Sequence, residues 1–236
     1  MHCDDVAVTF RCPLSRPCDD GGLVMAPSNP SVILMCGLPA SGKTTTAGRL
    51  HRALGGALIR SCDVYAELGI SLPDWVRRTA GFTRDTAAYE HERDRAYGEM
   101  ARRLEAALGA PARPVIVDAV HGEREKRRTM CEIAWRYHDT PILLWCRCDS
   151  VEEVRRRFAA RDGRDAIPEH EASDLSVFRH IASLWEDPRD DEAAAADAER
   201  GLVVYDTLAD RVQPLDAGGR TMCDAFARVL HATAVV

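Results

Sequence analysis

The stretch SVILMCGLPASGKTTTAGRL, Ser31–Leu50, decides the fold. It opens with an apolar run, Val32–Cys36, in which β-branched and long aliphatic side chains follow one another without a polar break. A strand buried on both faces reads this way, and such strands belong to parallel sheets. The run stops at Gly37, and Gly37-Leu38-Pro39-Ala40-Ser41-Gly42-Lys43-Thr44 fits GxxxxGK[ST] at every fixed position. Thr44 to Leu54 then predicts a short helix, halted at Gly55-Gly56. A strand, a glycine-framed loop and a helix in this order are the context a phosphate-binding loop requires.

Each fixed position has a physical reason. Gly37 and Gly42 permit backbone conformations and a close approach that a side chain would block. The expected cradle comprises Gly37, Leu38, Pro39, Ala40, Ser41 and Gly42, with Lys43, Thr44 and Thr45 at the helix start. Its backbone amides and the helix N-terminus would face the β-phosphate. Lys43 would neutralise the β- and γ-phosphates, and the Thr44 hydroxyl would hold Mg²⁺. The expected ligands are ATP and Mg²⁺. A chance glycine-rich turn is the bland alternative, and the flanking strand and helix weigh against it.

Four further strands are legible outward from this loop. ALIRSCD reads as the second, ending in Asp63, and PVIVDA as the third, ending in Asp118. TPILLWCRC and LVVYDT read as the fourth and fifth. Between them lie helical stretches at Asp85–Leu108, Glu123–Tyr137, Ser150–Arg161 and Asp174–Trp185, with a closing helix at Arg220–Leu230. Ser150 is placed as an N-cap, with Glu152 and Glu153 in the first turn. Strands alternating with helices predict an α/β chain of the P-loop NTPase type: a three-layer sandwich on a mostly parallel five-stranded sheet, with a helical lid. Ligands bind such sheets at the carboxyl ends of the strands, where Asp63 and Asp118 fall. The domain is expected to span residues 31–236. Residues 1–30, punctuated by Pro13, Pro17, Gly21, Gly22, Pro27 and Pro30, read as a flexible extension.

The bulk composition narrows the class. With 46% hydrophobic and 29% charged residues, 236 residues suffice for one large domain with a real core. No apolar run approaches the roughly 20 residues needed to span a bilayer. The N-terminus carries no visible secretory signal, so a cytoplasmic location is expected. The nine cysteines form no CxxC pair, which leaves a zinc ribbon or redox motif without support. Cys36, Cys62, Cys146 and Cys148 read as small hydrophobes instead. A net charge of −6 argues against a broad nucleic-acid surface. Between His121 and Arg164, however, eleven Lys/Arg face eight Asp/Glu, a local excess that suits a compact anionic ligand.

The motifs GLPASGKTT, IRSCD, VIVDAVHGEREKR and VRRRFAAR, in that order, resemble those of the P-loop kinases that include polynucleotide 5′-kinases, zeta toxins, chloramphenicol phosphotransferase and predicted bacterial kinases. The resemblance runs from about Ser31 to Thr207. It implies an ATP-dependent kinase in which Asp63 accepts the proton of the attacking hydroxyl. Asp63 also fits a helix cap on local sequence alone. Asp118 is expected near the phosphate loop, serving Mg²⁺ or the acceptor. The resemblance places Arg157 and Arg161 in a lid over the triphosphate, and their spacing of four puts them on one helix face. Arg164 would join them, while Arg155 and Arg156 point to solvent or to Glu152 and Glu153. Arg127 is expected to support structure, and His121 reads as a surface loop residue in preference to a wall of the acceptor pocket.

One departure concerns the acceptor. Polynucleotide kinases of this group carry an arginine three residues after the general base, where this chain has Ala66. A small-molecule hydroxyl acceptor, such as an antibiotic, nucleoside or sugar nucleotide, is therefore favoured. A polynucleotide 5′-hydroxyl kinase and a nucleotide-binding regulatory or toxin module are the alternatives. The acceptor pocket is expected within Tyr65–Tyr97, where Tyr65, Trp75, Phe82, Tyr89 and Tyr97 concentrate aromatic side chains. Tyr89 and Tyr97 fit a helix core, and Trp75 and Phe82 fit a mobile wall.

Overall fold

The computed structural model describes residues 31–70, 86–161, 175–191 and 200–232. The N-terminal extension, Trp75, Phe82, Arg164 and the tip of the expected lid lie outside these residues, as do Cys3, Cys12 and Cys18.

Among the described residues the order is β1 (Val32–Cys36), α1 (Lys43–Leu54), β2 (Ala57–Arg60), α2 (Ser61–Glu67), α3 (Thr86–Leu108), β3 (Val115–Asp118), α4 (Arg124–Arg136), β4 (Pro141–Arg147), α5 (Val151–Arg161), α6 (Leu175–Ser183), a 3-10 turn (Pro188–Asp190), β5 (Gly201–Asp206), β6 (Arg211–Pro214) and α7 (Ala217–Ala232). The strands form one sheet in the order β2-β3-β1-β4-β5-β6. Every pairing is parallel except β5 with β6. The chain is an α/β P-loop NTPase fold with a mostly parallel sheet.

The sheet has six strands rather than five. The sixth, Arg211–Pro214, is short, largely exposed and polar, so it carries no apolar alternation for a sequence reading to catch. It survives as an antiparallel edge, where Pro214 forfeits little because an outer edge needs no ladder donor. A second difference concerns the stretch after β2. The strand stops at Arg60, and Ser61–Glu67 turns directly into a helix, so Asp63 stands in a first helical turn instead of on a strand.

Alternation along the strands builds two cores. Val32, Leu34 and Cys36 of β1, Val115 and Val117 of β3, and Leu143 and Trp145 of β4 pack against α3 and α4, through Met100, Leu104, Met130 and Ala134. Ile33, Met35, Ile116, Leu144 and Val203 face the other way, onto Ala47 and Leu50 of α1 and Met222, Phe226 and Leu230 of α7. Both faces of β1 are fully buried, which is why its sequence lacks polar residues. The three-layer arrangement follows. Since β2 and β3 lie on one side of β1 and β4 and β5 on the other, the chain reverses direction at β1. The crevice at such a switch point opens at the strand's carboxyl end, where Gly37 begins.

The buried cysteines behave as hydrophobes. Cys36, Cys131 and Cys146 have thiols that burial pushes up to about 12, so they stay protonated and unreactive near neutrality. Among the described residues no helix is long and apolar enough to cross a membrane.

Candidate phosphate-binding site

The loop leaves β1 through Gly37 at φ 144°. A Cβ there would stand 2.4 Å from the Cys146 carbonyl oxygen, so only glycine fits between β1 and the end of β4. The Gly37 N–H donates to Val120 O at 3.0 Å and ties the loop to the segment after β3. Ala40 and Gly42 then both take positive φ, 61° and 93°, turning the chain back on itself over six residues. Backbone of this kind turns successive N–H groups inward into an anion-binding concavity.

Helix α1 starts at Lys43, with Gly42 as its N-cap and no side-chain capping bond. Its first amides therefore rely on something other than a cap residue, and their partial positive charge favours an anion. Ser41 is buried, and its Oγ has no hydrogen-bond partner among the described residues. Lys43 is nearly buried and donates from Nζ to Leu38 O at 2.8 Å, so the ammonium is held back across the loop. Thr44 is half-buried and Thr45 exposed at the helix start. An unserved helix end, an orphaned serine hydroxyl, a tethered ammonium and a backbone cradle too tight for a Cβ match what a polyphosphate tail needs.

The two acids chosen from sequence meet at one end of the sheet. Asp118 ends β3, is 3% exposed, and is the register partner of Arg60. Arg60 Nε and Nη2 donate to the two Asp63 carboxylate oxygens, both at 2.8 Å. Hydrogen bonding to Asp63 in turn raises the Arg60 pKa. Asp63 is not the helix cap, since Arg60 holds that position. It lies in the first turn of α2, where the helix dipole favours a carboxylate.

Among the described residues, Arg157 of α5 makes four hydrogen bonds. Nε donates to Glu153 at 2.8 Å, Nη1 to Ala40 O and to Thr207 Oγ1, each at 3.0 Å, and Nη2 to Thr207 O at 3.3 Å. The guanidinium thus rests on the loop itself. Ser150 caps α5 as expected, accepting from the Glu153 N–H at 3.1 Å. Arg156 turns to Glu153, also as expected. Arg161 closes α5, and its side chain lies outside the described residues. A cavity of about 290 Å³ opens beside Arg157, lined in part by Gly42, Thr45, Arg49, Tyr205 and Thr207. Thr207 was not singled out from sequence. Its signal is a polar residue just past a buried strand, the pattern that drew attention to Asp63 and Asp118.

His121 is wholly buried rather than on the surface. It follows β3 at φ 44°, with Nδ1 2.6 Å from Met35 O and its backbone N–H donating to the Tyr97 hydroxyl at 3.0 Å. Burial lowers its pKa to about 4, so the ring is neutral near pH 7. Arg127 is as fully buried and supports this segment, as expected. Nη1 donates to the carbonyls of His121 and Gly122, each at 2.9 Å, while Nε and Nη2 grip Asp191. Tyr97 proves to be core, 9% exposed.

A family model described as AAA domain matches residues 32–188, from the start of β1 to the 3-10 turn. The chain belongs to the AAA domain family. Solved structures extend the likeness beyond this AAA domain. A sugar kinase from a Janibacter species shares 15% identity over 88% of this chain and 99% of its own, with a TM-score of 0.52, and so shares the fold. A gluconokinase from Sinorhizobium meliloti has 19% identity over 87% of this chain and 96% of its own, with a TM-score of 0.47. Kti12 from Chaetomium thermophilum, solved with ADP-AlF3, has 21% identity over 86% of this chain and 97% of its own, with a TM-score of 0.48. No curated protein matches the chain.

Proposed function

We propose that this AAA-domain protein is an ATP-dependent kinase that transfers the γ-phosphoryl group to a hydroxyl of a small molecule. The observation that carries the reading is a complete phosphate loop at the carboxyl end of β1, with Asp118 at the end of neighbouring β3 and Asp63 in the first turn of α2, directly after β2. A nucleotide loop alone fits hydrolysis or regulation as well. A carboxylate stationed to take a proton from an alcohol fits transfer.

In this reading Gly37–Thr45 cradles the polyphosphate, and Lys43 offsets charge on the β- and γ-phosphates. The acceptor oxygen attacks the γ-phosphorus, the bond to the β–γ bridging oxygen breaks, and ADP leaves. Asp63 takes the acceptor's proton, while Arg60 keeps its carboxylate in place through the paired hydrogen bonds. Thr44 and Asp118 are the residues that would hold Mg²⁺, which when bound neutralises phosphate charge. Arg157, which rests on the loop, and Arg161, four residues further along α5, are assigned the task of offsetting charge on the transferring group.

The motif order also supports membership of the polynucleotide kinase, zeta toxin and chloramphenicol phosphotransferase-like group. Within that group, Ala66 and the acidic net charge favour a small acceptor over a 5′-terminal nucleotide. The same reading treats residues 31–236 as one catalytic unit working in the cytoplasm.

The test is an acceptor panel with MgATP: sugars, nucleosides, sugar nucleotides, hydroxyl-bearing antibiotics and a 5′-hydroxyl oligonucleotide. ADP release and product mass are the readouts. A phosphorylated small molecule, absent with Lys43→Ala, is expected. Robust labelling of the oligonucleotide alone would replace the small-molecule reading, and no acceptor-dependent ADP release would remove the kinase reading.

A further inference from the structure

Thr207 follows β5, and three parts of the fold meet on it: the end of β4, the phosphate loop and α5. Its N–H donates to Arg147 O at 2.9 Å, fixing it against the end of β4. Its Oγ1 lies 2.9 Å from both Ser41 O and Arg147 O. A hydroxyl has one proton to give. Arg147 O already receives the Thr207 N–H, so that proton is best used on Ser41 O, inside the phosphate loop. Thr207 Oγ1 itself accepts from Arg157 Nη1, which also donates to Ala40 O. The methyl group lies over Gly42, where an added Cβ would come within 3.2 Å of Cγ2.

The contacts are specific in direction. Ala40 O and Ser41 O belong to the half of the loop whose positive-φ residues, Ala40 and Gly42, turn the backbone into its concave form. Thr207 and Arg157 hold the carbonyls of Ala40 and Ser41, while the Ser41 N–H donates to Leu38 O inside the loop, so this turn is fixed from both sides. We infer that Thr207 is a positioning residue: with Arg157 it locks the Ala40–Gly42 turn of the phosphate loop, and so sets how tightly the loop holds a nucleoside triphosphate. The inference rests on the nucleotide-binding part of the proposed function. It adds a residue that neither the loop motif nor the strand-end acids include.

The test compares Thr207→Val, which keeps the shape and loses the hydroxyl, with Thr207→Ser, which keeps the hydroxyl. MgATP is titrated calorimetrically into the full chain of wild type and both variants, and thermal unfolding is followed in parallel. Thr207→Val is expected to bind about tenfold more weakly, the loss of roughly one charge-assisted hydrogen bond's worth of preorganisation. Thr207→Ser is expected to stay within about threefold of wild type, since it retains that bond. Arg157→Lys loses the planar fork and is expected to match Thr207→Val. The double variant should lose no more than either single one, because the two side chains share one lock.

Wild-type affinity in Thr207→Val overturns the inference, as do additive losses or a serine variant as weak as valine. If valine prevents folding, the serine and lysine variants decide on the same criteria. A wild-type chain that binds no MgATP overturns the proposed function and this inference together. That outcome is distinct from one in which only the Thr207 variants behave like wild type.

Discussion

Arg60 and Asp118 are register partners at the carboxyl ends of β2 and β3, and Arg60 also grips Asp63 through both carboxylate oxygens. One arginine therefore sits between the two acids of the crevice. It holds the first in a fixed orientation and stands beside the second on the neighbouring strand. Asp63 and its pair with Arg60 are each a little over two-fifths exposed, so the link is open to an incoming hydroxyl compound.

Asp63→Asn tests the proton-accepting role. The amide keeps the size and a hydrogen-bonding oxygen but cannot take the alcohol's proton. Transfer to the acceptor is expected to fall by about 10²–10⁴-fold in kcat, the usual yield of general-base catalysis. MgATP affinity should stay within about threefold, because Asp63 lies outside the phosphate cradle. Steady-state kinetics with calorimetry measures both, and normal turnover in the variant rules out the role.

The Arg127–Asp191 pair is buried at 1% and 7% side-chain exposure and ties α4 to the segment after the 3-10 turn. Arg127→Ala removes the donor to the His121 and Gly122 carbonyls and one partner of Asp191. A loss of about 3 kcal/mol is expected, near the lower end for a broken buried pair because Arg200 still faces Asp191 at 2.7 Å. Arg128→Ala, which breaks an exposed pair with Glu132, should change stability by less than about 0.5 kcal/mol. Urea denaturation compares the two.

His121 predicts a pH dependence of stability. Burial lowers its pKa from 6.5 to about 4 in the folded protein. Between those values the unfolded chain binds a proton that the native protein refuses, so unfolding is favoured as the pH falls. The contribution is fully present above about pH 6.5 and is lost progressively towards about pH 4. Its size is on the order of 3 kcal/mol for a shift of this extent. His121→Asn tolerates the left-handed backbone and should flatten the slope of stability against pH across that window, measured by denaturant unfolding. An unchanged slope would contradict the neutral, buried state of the ring.

Much of the fold was legible because the informative residues lie close together in sequence. The apolar run Val32–Cys36 announced a strand buried on both faces, and Gly37–Thr44 announced the turn that follows. Asp63 and Asp118 were found as polar residues punctuating the ends of apolar runs. What escaped detection depends on contacts distant in sequence. His121 looked like a loop histidine because nothing nearby shows that Met35 O, Tyr97 and Arg127 enclose it. Strand β6 has no periodicity of its own and exists only because the edge of β5 offers it a ladder. Thr207 meets Arg157 across 50 residues and Ser41 across 166, a convergence that local pattern cannot express. The arginine pair was half visible. Its helical spacing was plain, but the docking of Arg157 on Ala40 O was not.

Whether the Gly37–Thr44 loop grips a nucleoside triphosphate tail is measured directly by calorimetric titration of the purified chain with MgATP. Saturable one-to-one binding is predicted, lost in Lys43→Ala, which leaves the cradle without its ammonium. No measurable affinity for ATP or any other nucleoside triphosphate, in a wild-type chain shown to be folded, would contradict it.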